Sequence, residues 1–191
     1  MTEPSTDDAI ALSVLVTLYG ESKYGLTYKH LPESLNEIGV DGLLRYRPAQ
    51  REGTAYIRAE SPFMVQVNAV AHETAHAVLA VAGTGHGGPY EEMVVQFATG
   101  EIMARAAGIR SAEWALYHLR YITAKLDELS PAELSRVAAE GLGLARVMVD
   151  DLARVADLWL ALEPVTPGAA YARLLARFRA YLAPVPVGGG S

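Results

Sequence analysis

The 191-residue sequence predicts a mainly α fold carrying one small β-hairpin or sheet, an α+β architecture. Three observations point there. Apolar residues recur at three- and four-residue spacing near the start of the chain and then almost continuously after residue 62. Three pairs, Ser61-Pro62, Ser130-Pro131 and Thr166-Pro167, have the composition of helix starts, with a side-chain oxygen at the cap and Pro where no N–H is needed. Only two short segments, 43–47 and 54–59, alternate bulky residues as strands do.

Taken in order, residues 1–6 read as a frayed start. A first helix is expected over 7–21, where Ile10, Leu12, Leu15, Val16 and Leu18 recur at helical spacing. Asp7 and Asp8 suit the positive end of its dipole. A short helical piece over 32–38 is closed by Gly39. The strand candidates carry Leu44 and Tyr46, then Tyr56 and Arg58, and the polar stretch 48–53 joins them as a hairpin connection. Helices follow over 62–82, 89–107, 111–127, 131–162 and 167–182, with Gly83, Gly108 and Pro184 as stop signals. Glu133 completes a capping box with Ser130. Gly141 and Gly143 either bend the long helix or admit a close neighbour. Residues 184–191 read as a flexible tail or an expression scar. The chain thus divides into an N-terminal helix and hairpin (1–62), a helical core (63–127) and a helical extension (128–183).

Composition narrows the function classes. Sixteen basic against 22 acidic residues give a net charge of -6, so no direct nucleic-acid binding is expected. The chain has no cysteine, which excludes disulfide frameworks, zinc fingers, iron–sulfur clusters and thiol catalysis. No apolar run is long enough to span a bilayer, and acids rather than Lys or Arg precede the first apolar stretch. A cytoplasmic protein with no membrane partner is expected.

The informative segment is Ala71-His72-Glu73-Thr74-Ala75-His76. Four residues are slightly more than one helical turn, so His72 and His76 project from one face and can converge on one ion. Glu73 lies about 100° round the helix, placed to take a proton from a metal-bound water without binding the metal. Zinc, one per chain, suits such a site because it accepts imidazole and carboxylate and keeps a position open for water. A third ligand is required; His86, Glu91 and Glu92 follow within reach. Ala82 stands where a third histidine would complete a His-x-x-Gly-x-x-His extension, so an acid opening the next helix fits better.

Residues 70–103 resemble the minimal zinc peptidases of the ImmA/IrrE group and the related peptidase domain of ArdC-type antirestriction proteins. The resemblance is carried by Ala71 to His76 and by Glu91-Glu92-Met93-Val94-Val95-Gln96-Phe97-Ala98, and extends over about 43–155. It implies a zincin-like helical metallopeptidase core of gluzincin type. Alignment on Phe97-Ala98 makes Glu91 the metal ligand, the preferred choice. Alignment on the paired acids of the ArdC pattern favours Glu92, with Gln96 as the polar residue four further on. Val94 replaces the usual Ala, a departure that bears on helix packing. Tyr117 and Tyr121 resemble the ArdC-type helical tail.

The resemblance implies hydrolysis of a specific protein, such as a DNA-binding repressor of a mobile element or stress response. A strand edge beside the metal would receive the extended substrate. Glu73 would act as general base, and His86, Tyr90, Tyr117, His118 and Tyr121 are candidates for oxyanion or substrate contacts. Glu101 is a candidate support for the ligands, or part of a solvated face; His30 is structural. The rival readings are an antirestriction or regulatory binding protein with a structural or vestigial zinc, and a helical interaction protein in which the motif is accidental.

Overall fold

The computed structural model describes residues 6–32, 39–162 and 168–184. Helix α1 (Thr6–Tyr24) leads into strand β1 (Leu26–His30), followed by β2 (Gly42–Arg47), β3 (Glu52–Ile57), α2 (Phe63–Ala82), α3 (Gly88–Glu101), α4 (Ala112–Lys125), α5 (Pro131–Leu162) and α6 (Gly168–Leu182). The fold is mainly α with a small mixed sheet, as the sequence predicts. No helix among the described residues is long and apolar enough to cross a membrane. Of the expected frayed start (1–6) only Thr6 is described, and it opens α1; of the helical piece expected over 32–38 only Pro32 is described, outside any helix; the Thr166-Pro167 start and the tail beyond Pro184 lie outside the described residues.

The hairpin forms, with β2 antiparallel to β3 and Arg47 opposite Glu52. Its second strand ends at Ile57, so Arg58 and Ala59 fall outside it. A third strand, β1, was not expected: it pairs parallel with β3, giving the order β1-β3-β2 and leaving β2 with a free outer edge. Its five residues include Lys29 and His30, both exposed, too short and too polar an alternation to read as a strand. Gly25 makes the turn into it at φ 63°, where a side chain would run into the Arg51 carbonyl.

Burial explains the helical frame. Leu12, Leu15, Val16 and Tyr19 of α1 are all but completely covered, packed towards α2, α5 and α6. The hydrophobic core runs from Ala9 to Phe178, so the three stretches separated along the sequence share one interior. α3 and α5 approach closely because Gly141 has no side chain: a Cβ there would lie 3.0 Å from Phe97 and 3.1 Å from the Val94 carbonyl. Gly143 has nothing within 4 Å of its Cβ position.

Several ends differ from the sequence reading. Ser61 does not cap α2; its hydroxyl donates to Asp41 Oδ1 at 2.5 Å, pinning the 39–42 segment beside the helix start. The helix expected over 89–107 stops being α at Glu101 and continues as a π turn, Ile102–Ala106. That wider turn buries Ile102, Met103, Ala106 and Ala107 completely. Helix α4 begins after Ser111, which accepts from Trp114 N–H as a true N-cap, and ends at Lys125 in a 3-10 turn. The Ser130–Glu133 capping box is present, with Ser130 N–H donating to Glu133 at 2.7 Å.

Asp8 does more than favour a dipole. It is 2% exposed and its two oxygens accept from Arg173 at 2.6 Å and Arg177 at 2.9 Å, both on α6. Arg177 also donates to the Ala107 carbonyl at 2.7 Å, tying α1, α6 and the π turn together. Asp8→Asn keeps the volume but removes the charge that both guanidiniums face. The expected loss is about 2 kcal/mol in urea unfolding, below the full penalty for a buried pair because the arginines are partly solvated. A loss indistinguishable from that of a surface Asp→Asn control would show the clamp to be idle.

Candidate metal centre

Asn68, His72 and His76 form a stripe at four-residue spacing on α2, which Ala69, Ala71, Ala75 and Ala77 let neighbouring elements approach closely. Gly83 ends that helix at φ 68°, and the short loop to Gly88 returns the chain as α3 beside it. Glu91, Glu92 and Gln96 of α3 then meet the two imidazoles.

The Nε2 atoms of His72 and His76 are 3.2 Å apart. Glu92 completes a triangle, with Oε2 at 3.2 Å from His72 Nε2 and Oε1 at 3.4 Å from His76 Nε2. Ligands about 2.0–2.1 Å from a tetrahedral zinc sit roughly 3.3 Å from each other, the same edge length. With one ligand atom from each residue, the three lie within 4.8 Å of one another, a spacing from which they could hold a metal ion. Glu91, preferred from the sequence, is elsewhere: its Oε1 accepts from His76 Nδ1 at 2.6 Å and its Oε2 from Gly87 N–H at 2.7 Å. The distances favour Glu92 as third ligand and make Glu91 the residue that orients His76.

Both rings have their tautomers fixed by this outer layer. His76 Nδ1 faces Glu91, and His72 Nδ1 lies 3.0 Å from Gln96 Oε1, so Nε2 is the nitrogen each ring would present to an ion, that of His76 after losing its proton. Gln96 is itself oriented, because its amide nitrogen donates to His118 Nδ1 at 2.7 Å. Burial, followed by the charge of His72, holds His118 below the usual histidine range, as an acceptor requires. Its ring lies over Trp114, whose indole N–H donates to Asn68 at 3.1 Å, and against Gly100, where a Cβ would meet it at 2.5 Å.

The electrostatics suit a cation. Burial alone would favour neutral His76, but hydrogen bonds to Glu91 and Glu92 outweigh it and raise its pKa to about 10. Burial likewise opposes ionisation of Glu92, yet His72, His76 and the Tyr121 phenol, which donates to Oε2 at 2.5 Å, hold it well below the carboxylate range. Glu91 is also lowered, chiefly by His76. Glu73 moves the other way, raised by burial against the pull of His72 and His76. It is 6% exposed, and none of the described residues hydrogen-bonds its carboxylate. Gly42 abuts it so closely that a Cβ would overlap Oε1.

A cleft of about 930 Å³ opens over these groups, between the outer strand β2 and helix α4. His72, Glu73, His76 and Glu92 face it, as do Tyr117 and Tyr121. The other suggested contacts do not. His118 is turned away to Gln96, while His86 and Tyr90 stack edge-on at 5.4 Å outside the cleft lining. Glu101 pairs with Arg105 at 3.5 Å rather than supporting a ligand, and His30 is exposed at the end of β1. Arg120 and Lys125 line the cleft although no motif marks them, and neither Trp114 nor Asn68 carried a sequence signal beyond its place on a helical stripe.

No family model, no curated protein and no solved structure matches this chain.

Zinc binding must displace the Nε2 proton of His76, which is held at neutral pH by a pKa near 10. Calorimetry in buffers of different ionisation enthalpy should therefore record about one proton released per zinc at pH 7, and affinity rising roughly tenfold per pH unit through neutrality. Glu91→Gln should lower that proton count while keeping zinc, whereas Glu92→Gln should cost most of the affinity. Gln96→Leu should weaken zinc about 10- to 100-fold, as other losses of ligand-orienting groups do. Equal losses in Glu91→Gln and Glu92→Gln would contradict the assignment of the third ligand.

Proposed function

We propose that the protein is a zinc metallopeptidase of the gluzincin type, with His72, His76 and Glu92 holding the metal and Glu73 as general base. The observation that carries this reading is the grouping of two imidazole nitrogens and a carboxylate within 4.8 Å of one another, with the buried carboxylate of Glu73 beside it. A zinc ion bound there would supply an activated water and polarise a scissile carbonyl. A purely structural site has no need of Glu73. Burial raises its proton affinity towards the range in which a carboxylate can both take a proton from water and return it to a leaving amine.

The residues around the cleft fit an extended peptide. Among the described residues strand β2 has no neighbouring strand on its outer side, and Gly42, Leu43, Leu44 and Tyr46 present it to the cleft. A substrate backbone can add there as a further strand, running past Glu73. Across the cleft the Tyr117 phenol, which lies by Asp41, would have to turn to the developing oxyanion, while Tyr121 is engaged with Glu92. The likeness of residues 70–103 to ImmA/IrrE and ArdC-type peptidases supports a single protein substrate of the repressor kind, an analogy of family rather than of geometry.

Protein purified without chelator should carry close to one zinc per chain and cleave members of a proteome-derived peptide library, read by mass spectrometry. His72→Ala should lose the zinc. Glu73→Gln should keep it and lose about 10²- to 10⁴-fold in cleavage rate. A zinc-loaded protein that cleaves nothing, and whose biological effect survives Glu73→Gln, would favour the regulatory binding reading instead.

A further inference from the structure

Glycine inside a helix costs about 0.5–1 kcal/mol relative to alanine, so each one in α5 needs a reason. Gly141 has one in the approach of Phe97. Gly143 does not: its φ is not positive, and no atom lies within 4 Å of its Cβ position. The space left over it borders a second cavity of about 410 Å³, which shares only Glu91 with the lining of the metal cleft. Leu79, Leu144 and Val147 contribute to a lining that is mostly apolar, and Glu91 and Glu140 add two carboxylates with no lysine or arginine among the lining residues. Glu91 is already engaged by His76 and Gly87, while exposed Glu140 at the rim lies by the Tyr90 phenol, over whose ring Arg136 sits, and keeps a solvent-facing carboxylate to meet a charge.

We propose that this cavity is a binding site for a small molecule with an apolar body and a single cationic head, the body lying over Gly143 and the head at Glu140. The volume falls within the range of about 300–1,000 Å³ usual for small-molecule sites. The Glu140 carboxylate selects the sign of the head group. The proposal is independent of the metal centre's chemistry.

Amide NMR of the full chain without added zinc tests it, with 4-phenylbutylammonium as probe and 4-phenylbutyrate and 4-phenylbutanol as matched anionic and neutral controls. The ammonium should give saturable shifts confined to residues 78–84 and 140–147, with the anion binding at least about tenfold more weakly. Gly143→Leu, which improves helix propensity and meets no neighbour, should keep the fold and abolish those shifts. Glu140→Gln should weaken the ammonium roughly fivefold, the size of an exposed ion pair, and leave the alcohol unchanged. Absence of saturation, equal affinity for all three probes, or undiminished binding to Gly143→Leu would overturn the proposal. So would binding confined to a chain ending at Ala183, which would assign the cavity to the chain's own C-terminal residues.

Discussion

Two imidazoles one turn apart on a helix can face one point together only when the other nitrogen of each ring, Nδ1, finds a partner elsewhere. That requirement organises the molecule around α2. One helix, α3, answers it for both rings, with Glu91 on His76 and Gln96 on His72, while Glu92 between them closes the triangle. For α3 to stand so near, α2 must be built largely of alanine where the two meet, and α5 must press α3 inward through the gap left by Gly141. The long helices of the second half serve to hold α3 at ligand distance.

Helix α4 forms a further layer whose inward residues all report to the site. Trp114 is tied to Asn68, His118 to Gln96 and Tyr121 to Glu92, at intervals that keep them on one face. Its opposite face leaves Leu116 and Leu119 exposed, 49% and 60%. The inner polar contacts, more than apolar burial, therefore position α4 as the wall of the cleft. The opposite wall depends on a different device: Ser61 fixes Asp41, and the adjacent Gly42 lets the strand pass flush against Glu73.

Much of this was legible. The spacing of His72 and His76 placed both rings on one face, because helical geometry fixes a face from residue numbers alone. The hairpin and all the long helices were readable from period and capping residues. Choosing between Glu91 and Glu92 was not, since adjacent residues on a helix point about 100° apart and only the rotation of α3 decides which faces the rings. Strand β1 was hidden because its stability comes from pairing with β3 and from the Tyr28–Thr74 hydrogen bond, neither of which leaves a mark on five short residues. Ser61 had the composition of a cap and a better partner in Asp41. The π turn was invisible because a fully buried helix end looks alike at 3.6 or at wider pitch.

The Asp8 clamp has a bearing on how the chain assembles. The metal-site residues all lie between Asn68 and Tyr121, so that region can organise through contacts of modest loop length. Asp8 reaches Arg173 and Arg177 across 165 and 169 residues. Loop-closure entropy makes such long-range pairing slow to pay back. During synthesis α1 can pack on α2 early, but the Asp8 side chain must wait for its arginine partners until α6 has left the ribosome.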